Sequence, residues 1–124
     1  MALTLLNGVR NAMADAMDGI INTGSGTSVM QLETFDDIEV ATFSFQNPAF
    51  GAASSGIITL LGTTLSDTSA TGGLVAQYSI YDRDAAKVLE GVVATGGADL
   101  SLTSLNIGAT DTVELTAFSI EVPA

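Results

Sequence analysis

From Ser28 onward the chain is written in short alternating, β-branched runs, each closed by glycine, serine, threonine, asparagine or aspartate. A side-chain period of two places alternate residues on opposite faces of a strand. Frequent turn residues allow only short antiparallel excursions. The runs are SVMQLETF and IEVATFSF, with Asp36-Asp37 as a tight turn between them, then IITLLGTTL, LVAQYSIY, KVLEGVVA, LSLTSLNI and TVELTAFSIEV. QNPAFGAASSG (46–56) carries Pro48 and two glycines and cannot continue as a central strand. SDTSATGG, TGGAD and GATD read as loops and turns. In TVELTAFSIEV, Val113, Leu115, Ala117, Ile120 and Val122 look inward, and the slip at Ala117-Phe118 predicts a bulge or bend. In LVAQYSIY, Leu74, Ala76, Tyr78 and Ile80 take the core face, and Val75, Gln77, Ser79 and Tyr81 the other.

Upstream of Ser28 the period changes to three and four. Leu6, Val9, Met13, Met17, Ile20 and Ile21 form an apolar stripe, widened by Leu5, Ala12 and Ala16. Asn7, Arg10, Asn11, Asp15, Asp18 and Asn22 fall mostly on the other face. Thr4 is the expected cap, and NTGSGT (22–27) ends the helix. The stripe is expected to cover one side of the core, the alternative being a neighbouring subunit. The expectation is a mainly β fold: an antiparallel β-sandwich or jelly-roll-like barrel of about seven strands preceded by one N-terminal amphipathic helix. Residues 1–124 are expected to form a single domain, with the helix over 3–22 and the β-domain over 28–124.

Composition narrows function by exclusion. Net charge is −11, from 14 acidic and 3 basic residues, the wrong sign for displacing counterions from nucleic acid or for an anionic membrane surface. The chain has no cysteine and no histidine. It therefore has no thiolate nucleophile, no imidazole base and no Cys/His metal site. Tryptophan is absent and Phe and Tyr total seven, a thin supply for stacking sugars, so a carbohydrate-binding sandwich is a distant alternative. No segment is long enough for a transmembrane helix. The N-terminus lacks the early basic residue of a signal peptide, and polar residues break its apolar run. Charged residues make up only 14% and mean hydropathy is +0.45. Such a surface is expected to be covered in part by a subunit partner.

The stretch SIYDRDAAKVLEGVV (79–93) holds Asp82, Asp84 and Glu90 beside Arg83 and Lys87, two of the chain's three cations. A glycosidase-like pair would need Asp82 and Glu90 across a cleft, one of them desolvated. A hairpin between two strands offers none, so a turn is expected. Asp82-x-Asp84 lacks the glycine and closing glutamate of a calcium loop. Asp36, Asp37 and Glu39 would at most bind calcium weakly. TGSGT and TGGAD match no phosphate-binding fingerprint. Phe50, between Ala49 and Gly51, reads as a core anchor before an exposed plug.

The order of these segments is similar to a known group. VRNAMADAMDGIINTGSGTSVMQLETF, then NPAFGAASSGIITL, then YDRDAAKVLEGVVATGGADLSL resembles small virion structural proteins of tailed bacteriophages. Each motif alone is a turn signal, and their shared order over nearly the whole chain carries the resemblance. Asp84-Ala85, where relatives often have Asp-Gly, and the short 36–39 connection depart from it. The resemblance implies a non-catalytic capsid decoration (cement) protein, with a tail or head–tail junction component as the alternative. It implies the major capsid protein as partner, and the low charge content of the surface makes a homo-oligomer the expectation, a trimer being favoured. The expected location is the capsid exterior of the virion, after synthesis in the host cytoplasm. Partner contacts are expected at Met13, Met17, Phe50, Arg83 and Lys87. No catalytic residue, cofactor or metal is expected.

Overall fold

The computed structural model describes residues 3–96, 100–102 and 104–123. One helix, α1 (Asn7–Ile21), precedes the strands β1 (Val29–Glu33), β2 (Glu39–Ser44), β3 (Ile57–Thr59), β4 (Leu65–Asp67), β5 (Gly73–Leu74), β6 (Gln77–Tyr81), β7 (Lys87–Ala94), β8 (Leu100–Ser101), β9 (Asn106–Ile107), β10 (Val113–Leu115) and β11 (Ser119–Glu121). The fold is mainly β with an N-terminal helix, as expected. The strands do not close into a single barrel, and among the described residues there are more than the seven expected. Part of the expected TGGAD turn, Gly97 to Asp99, lies outside the described residues.

The main sheet has five strands in the order β2-β1-β6-β7-β8. All its pairs are antiparallel except β7–β8. Register places Met30, Leu32, Ala41, Phe43, Tyr78 and Ile80 on one face, and all six are buried. The outer edge of β2 is covered by the end of β4 and the loop that follows it. Asp67 Oδ2 accepts the Thr42 N–H at 2.9 Å, and Val40 O accepts the Thr71 N–H at 2.9 Å. An edge covered in this way cannot recruit a foreign strand.

Four expected strands are each divided in two, for a common reason: the chain changes partner midway. IITLLGTTL becomes β3 and β4, and TVELTAFSIEV becomes β10 and β11. β3 pairs with β11 and β4 with β10, so the two halves form one bent antiparallel ribbon. Residues 60–64 on one side oppose 116–118 on the other. The bend falls where the alternation slips. Phe118 turns inward and Ala117 is exposed, a correction to the inward place expected for Ala117. LVAQYSIY likewise divides into β5 and β6. Leu74 pairs with Asn106 on the surface, while Val75 is buried, so the expected faces are exchanged before Gln77 and hold from Tyr78 on. LSLTSLNI divides into β8 and β9, β8 continuing the main sheet beside β7 and β9 pairing with β5.

The largest departure is the orientation of α1. Its polar side faces the β-domain. Asn11 Oδ1 accepts the Gly56 N–H at 2.7 Å, Asp15 Oδ1 the Ala53 N–H at 2.8 Å, Asp18 Oδ1 the Phe50 N–H at 3.0 Å and Asn22 Oδ1 the Ala49 N–H at 2.9 Å. The four acceptors lie at steps of four, three and four, one helical face. They match the amides of the 49–56 segment that its neighbour β3 does not take, since β3 accepts only the Gly51 and Ser54 N–H groups, through Thr59 O and Ile57 O. Arg10, itself buried, donates from Nε to Val122 O at 2.8 Å and from Nη2 to the Glu121 carboxylate at 3.2 Å. Gly56 has φ 76°, and a Cβ there would come within 2.7 Å of the Arg10 guanidinium, so both backbone and space require glycine. The N-cap is Leu6 without a side-chain cap, where Thr4 was expected.

The cause is a competition between two kinds of burial. An orphaned buried N–H costs about 1–3 kcal/mol. Hiding the outer half of a partly exposed aliphatic side chain returns only about 1 kcal/mol. The amides win the helix face, and the apolar stripe is turned outward. Leu6, Val9, Met13 and Ile20 are exposed, while Ala14 and Ile21 enter the core with Leu5 and Met17 half-buried beside them. The expected covering of the core by the whole stripe is thus corrected.

Replacing Asp18 with alanine removes the acceptor for both the Phe50 N–H and the Asn22 side-chain amide. Urea unfolding is expected to show a loss of about 2 kcal/mol for Asp18→Ala and much less for Asp18→Asn, which keeps an acceptor oxygen. Wild-type stability in both variants would contradict the ladder.

Candidate functional site

Three surface regions carry side chains not absorbed by the core: the β6–β7 hairpin, the outer face of the main sheet, and the open face of α1.

The hairpin is a self-capped turn. Asp82 Oδ1 accepts the N–H groups of Asp84 and Ala86, each at 2.9 Å, and the Asp82 N–H bonds Ala86 O at 2.8 Å. Ala85 takes φ 65°, a left-handed position that favours glycine. The tip is held against the loop that follows α1. Arg83 N–H donates to Thr23 O, Gly26 N–H to Arg83 O, and Arg83 Nε to Gly26 O at 2.7 Å. Asp84 accepts the Ser25 N–H at 3.2 Å and occupies the space that a Cβ on Gly24 would need. Asp82 and Glu90 do not converge. The first is folded onto its own turn, and the second lies 3.7 Å from Lys87 on β7.

On the outer face of the sheet, β1 and β6 bring together a polar group that the sequence reading did not foresee. Glu33 is only 1% exposed. Ser79 Oγ donates to it at 2.8 Å, the Tyr81 hydroxyl at 2.9 Å and Gln77 Nε2 at 3.3 Å. Gln77 Nε2 also donates to the Asp37 carboxylate. The signal was present in part, since Gln77, Ser79 and Tyr81 share one face of their strand. Their cross-strand partner depends on register, which a single strand does not encode. Burial, then the hydrogen bond and negative charge of Glu33, push the Tyr81 phenol above its ordinary value. Loss of water contact opposes charge on Lys87, but Glu33, Tyr81, Asp37 and Glu90 together outweigh it and raise the ammonium. Among the described residues, no buried side-chain nitrogen or oxygen lacks a partner. A carboxylate so enclosed and so fully bonded is placed to fix the β1–β6 register, not to take a proton from a substrate.

Glu39 is engaged by the hydroxyls of Thr42 and Thr71. Among the described residues, no three carboxylates gather in a way that would hold a metal ion. No described helix is long and apolar enough to cross a membrane.

The five expected contact residues separate clearly. Met13 is 45% exposed on the open face of α1, and Met17 sits half-buried at its inner margin. Lys87 is exposed, 6.0 Å from the centroid of the Tyr81 ring. Arg83 is committed to the 23–26 loop within its own chain. Phe50 is 1% exposed and packs between Phe45 and Phe118 at centroid distances of 6.0 and 6.2 Å. It is a core anchor with no surface for a partner, which corrects its place among the contacts. Leu6, Val9 and Ile20, named in the apolar stripe but not among the expected contacts, are exposed in line with Met13.

The chain matches no known family model, no curated protein and no solved structure.

Two outcomes test the hairpin and the sheet face. Ala85→Gly is expected to be neutral or stabilising by less than about 1 kcal/mol, because it relieves a left-handed alanine. A clear loss on urea unfolding would contradict that geometry. Both raised groups, Tyr81 and Lys87, favour the folded state in their protonated forms. Their contribution is present below about pH 10 and is lost as pH rises through the folded values. Tyr81→Phe is expected to flatten the alkaline part of the stability profile. An unchanged profile would mean the Tyr81–Glu33 bond does not form.

Proposed function

We propose that this chain is a non-catalytic virion structural protein of a tailed bacteriophage, a decoration (cement) protein that binds and stabilises the outside of the icosahedral head. In this reading the main sheet is one layer of a sandwich, and the β3–β11 and β4–β10 ribbon supplies the other. The observation that carries the reading is the outward apolar face of α1. A helix that spends its polar side on its own domain and leaves its apolar side open is built for assembly with other chains. The ordered phage-like motifs support the same conclusion, and so does a carboxylate-rich chain whose buried acid is locked into structure.

Binding alone supplies the mechanism. A ligand that binds the assembled shell and not its parts stabilises the shell by mass action. Contacts bridging several shell subunits add avidity. The large negative charge draws the protein towards positive surface on the shell and makes its attachment sensitive to salt.

Purified particles from the phage that encodes the chain provide the test. Decoration requires copies in the hundreds, repeating with the symmetry of the shell. Undecorated shells should take up the isolated protein and become more resistant to heat. A copy number near a dozen would instead assign the chain to a head–tail ring, and absence from the particle would overturn the virion reading altogether.

A further inference from the structure

The open face of α1 has a more specific geometry than a generic sticky patch. Leu6, Val9, Met13, Ala16 and Ile20 follow one another at steps of three, four, three and four. All five are exposed. A strict three–four alternation is the seam of helices packed side by side along their length. Helices that cover a globular core carry a wider stripe. The wider part of this stripe, Ile21 and Met17, is already used within the chain.

The face is also free of charge. The charged residues of α1 are Arg10, Asp15 and Asp18, and each is bonded to the β-domain of its own chain. Two copies of a chain with net charge −11 repel one another over most of their surface, and least along a neutral strip. A foreign partner selected by charge would find nothing here to read. Gly8 and Gly19 flank the seam together with Ala12. A Cβ at either glycine would meet nothing within 4 Å in its own chain. Exposed glycines weaken a lone helix and are not needed for its fit to the β-domain. They do allow a neighbouring helix to approach closely. Leu6, Val9, Met13 and Ile20 are 73%, 51%, 45% and 53% exposed, an apolar patch on the order of a few hundred Å² per copy, so a pair of copies buries at most ~1,000 Å², the size at which specific interfaces begin.

We infer that α1 is the self-association element of the protein, with the Leu6–Val9–Met13–Ala16–Ile20 seam of one copy packed against the same seam of another. The inference rests on the reading of the chain as an assembly protein and assigns its oligomer axis to the helix. The polar ladder then fixes each β-domain on the outside of a central helical bundle.

Sedimentation of the full chain at micromolar concentration tests it. The wild type is expected to sediment at a multiple of 12.6 kDa. Met13→Asp is expected to sediment as a monomer with unchanged circular dichroism, and Met13→Gln to weaken association at least tenfold if the aspartate variant does not fold. Ile38→Asp, on a different exposed apolar residue, should associate like the wild type. Because the chain has no cysteine, a single Met13→Cys substitution should yield a disulfide-linked dimer under mild oxidation and Ile38→Cys should not. A wild type that is monomeric at every soluble concentration, or a folded Met13→Asp that associates like the wild type, would overturn the inference. Shell binding is scored separately. Oligomers that ignore undecorated shells uphold this interface and remove the decoration reading. Monomers that coat shells do the reverse.

Discussion

Four backbone N–H groups in the 49–56 segment set the arrangement of the whole molecule. The segment follows Pro48, carries Phe50 into the core and gives only its Gly51 and Ser54 amides to the neighbouring β3. Three of these amides are part-buried, and leaving them without acceptors would cost stability. α1 supplies the acceptors from Asn11, Asp15, Asp18 and Asn22. That contact decides which face of the helix points inward, and so which face is left for the outside. The clamp of Arg10 on Val122 and Glu121 extends the contact to the far end of the chain, joining the first element to the last.

A second polar contact organises the opposite side of the molecule. Glu33 on β1 receives hydrogen bonds from Ser79, Tyr81 and Gln77 on β6. A one-residue slip of β6 would separate all three donors from the carboxylate, so the cluster specifies register as well as stability. The Arg83–Gly26 and Asp84–Ser25 bonds then tie the β6–β7 hairpin to the end of α1. Most of the chain's conspicuous polar residues are therefore structural. What remains open on α1 is apolar: Leu6, Val9, Met13 and Ile20 are exposed.

Much of the β architecture was legible from the sequence because strand and turn signals are local. The limits of β1, β2 and β7, the Asp82–Lys87 turn and the bend near Phe118 all follow from residues within a few positions of one another. The divisions of the longer runs were not legible, since β3 and β4 part because each meets a different partner far along the chain. The direction of α1 was misread for a related reason. Amphipathicity says that a helix has two unlike faces, and the usual assumption sends the apolar one inward. Here the decision belongs to amides some thirty to forty-five residues downstream, such as Phe50 for Asp18 and Gly56 for Asn11. The contact candidates divided accordingly. Met13 lies on open surface because the helix turned over, whereas Phe50 is consumed by the core that the same ladder holds in place.

An outward apolar helix on an acidic domain gives the protein two unlike surfaces, a neutral apolar strip and a charged body. That account stands on the ladder, and amide hydrogen exchange measures the ladder directly. The account predicts that the N–H groups of Ala53 and Gly56, though outside any strand, exchange slowly, and that Asp15→Ala speeds Ala53 selectively. Exchange of both amides at the rate of an unprotected loop in the folded wild type would contradict it.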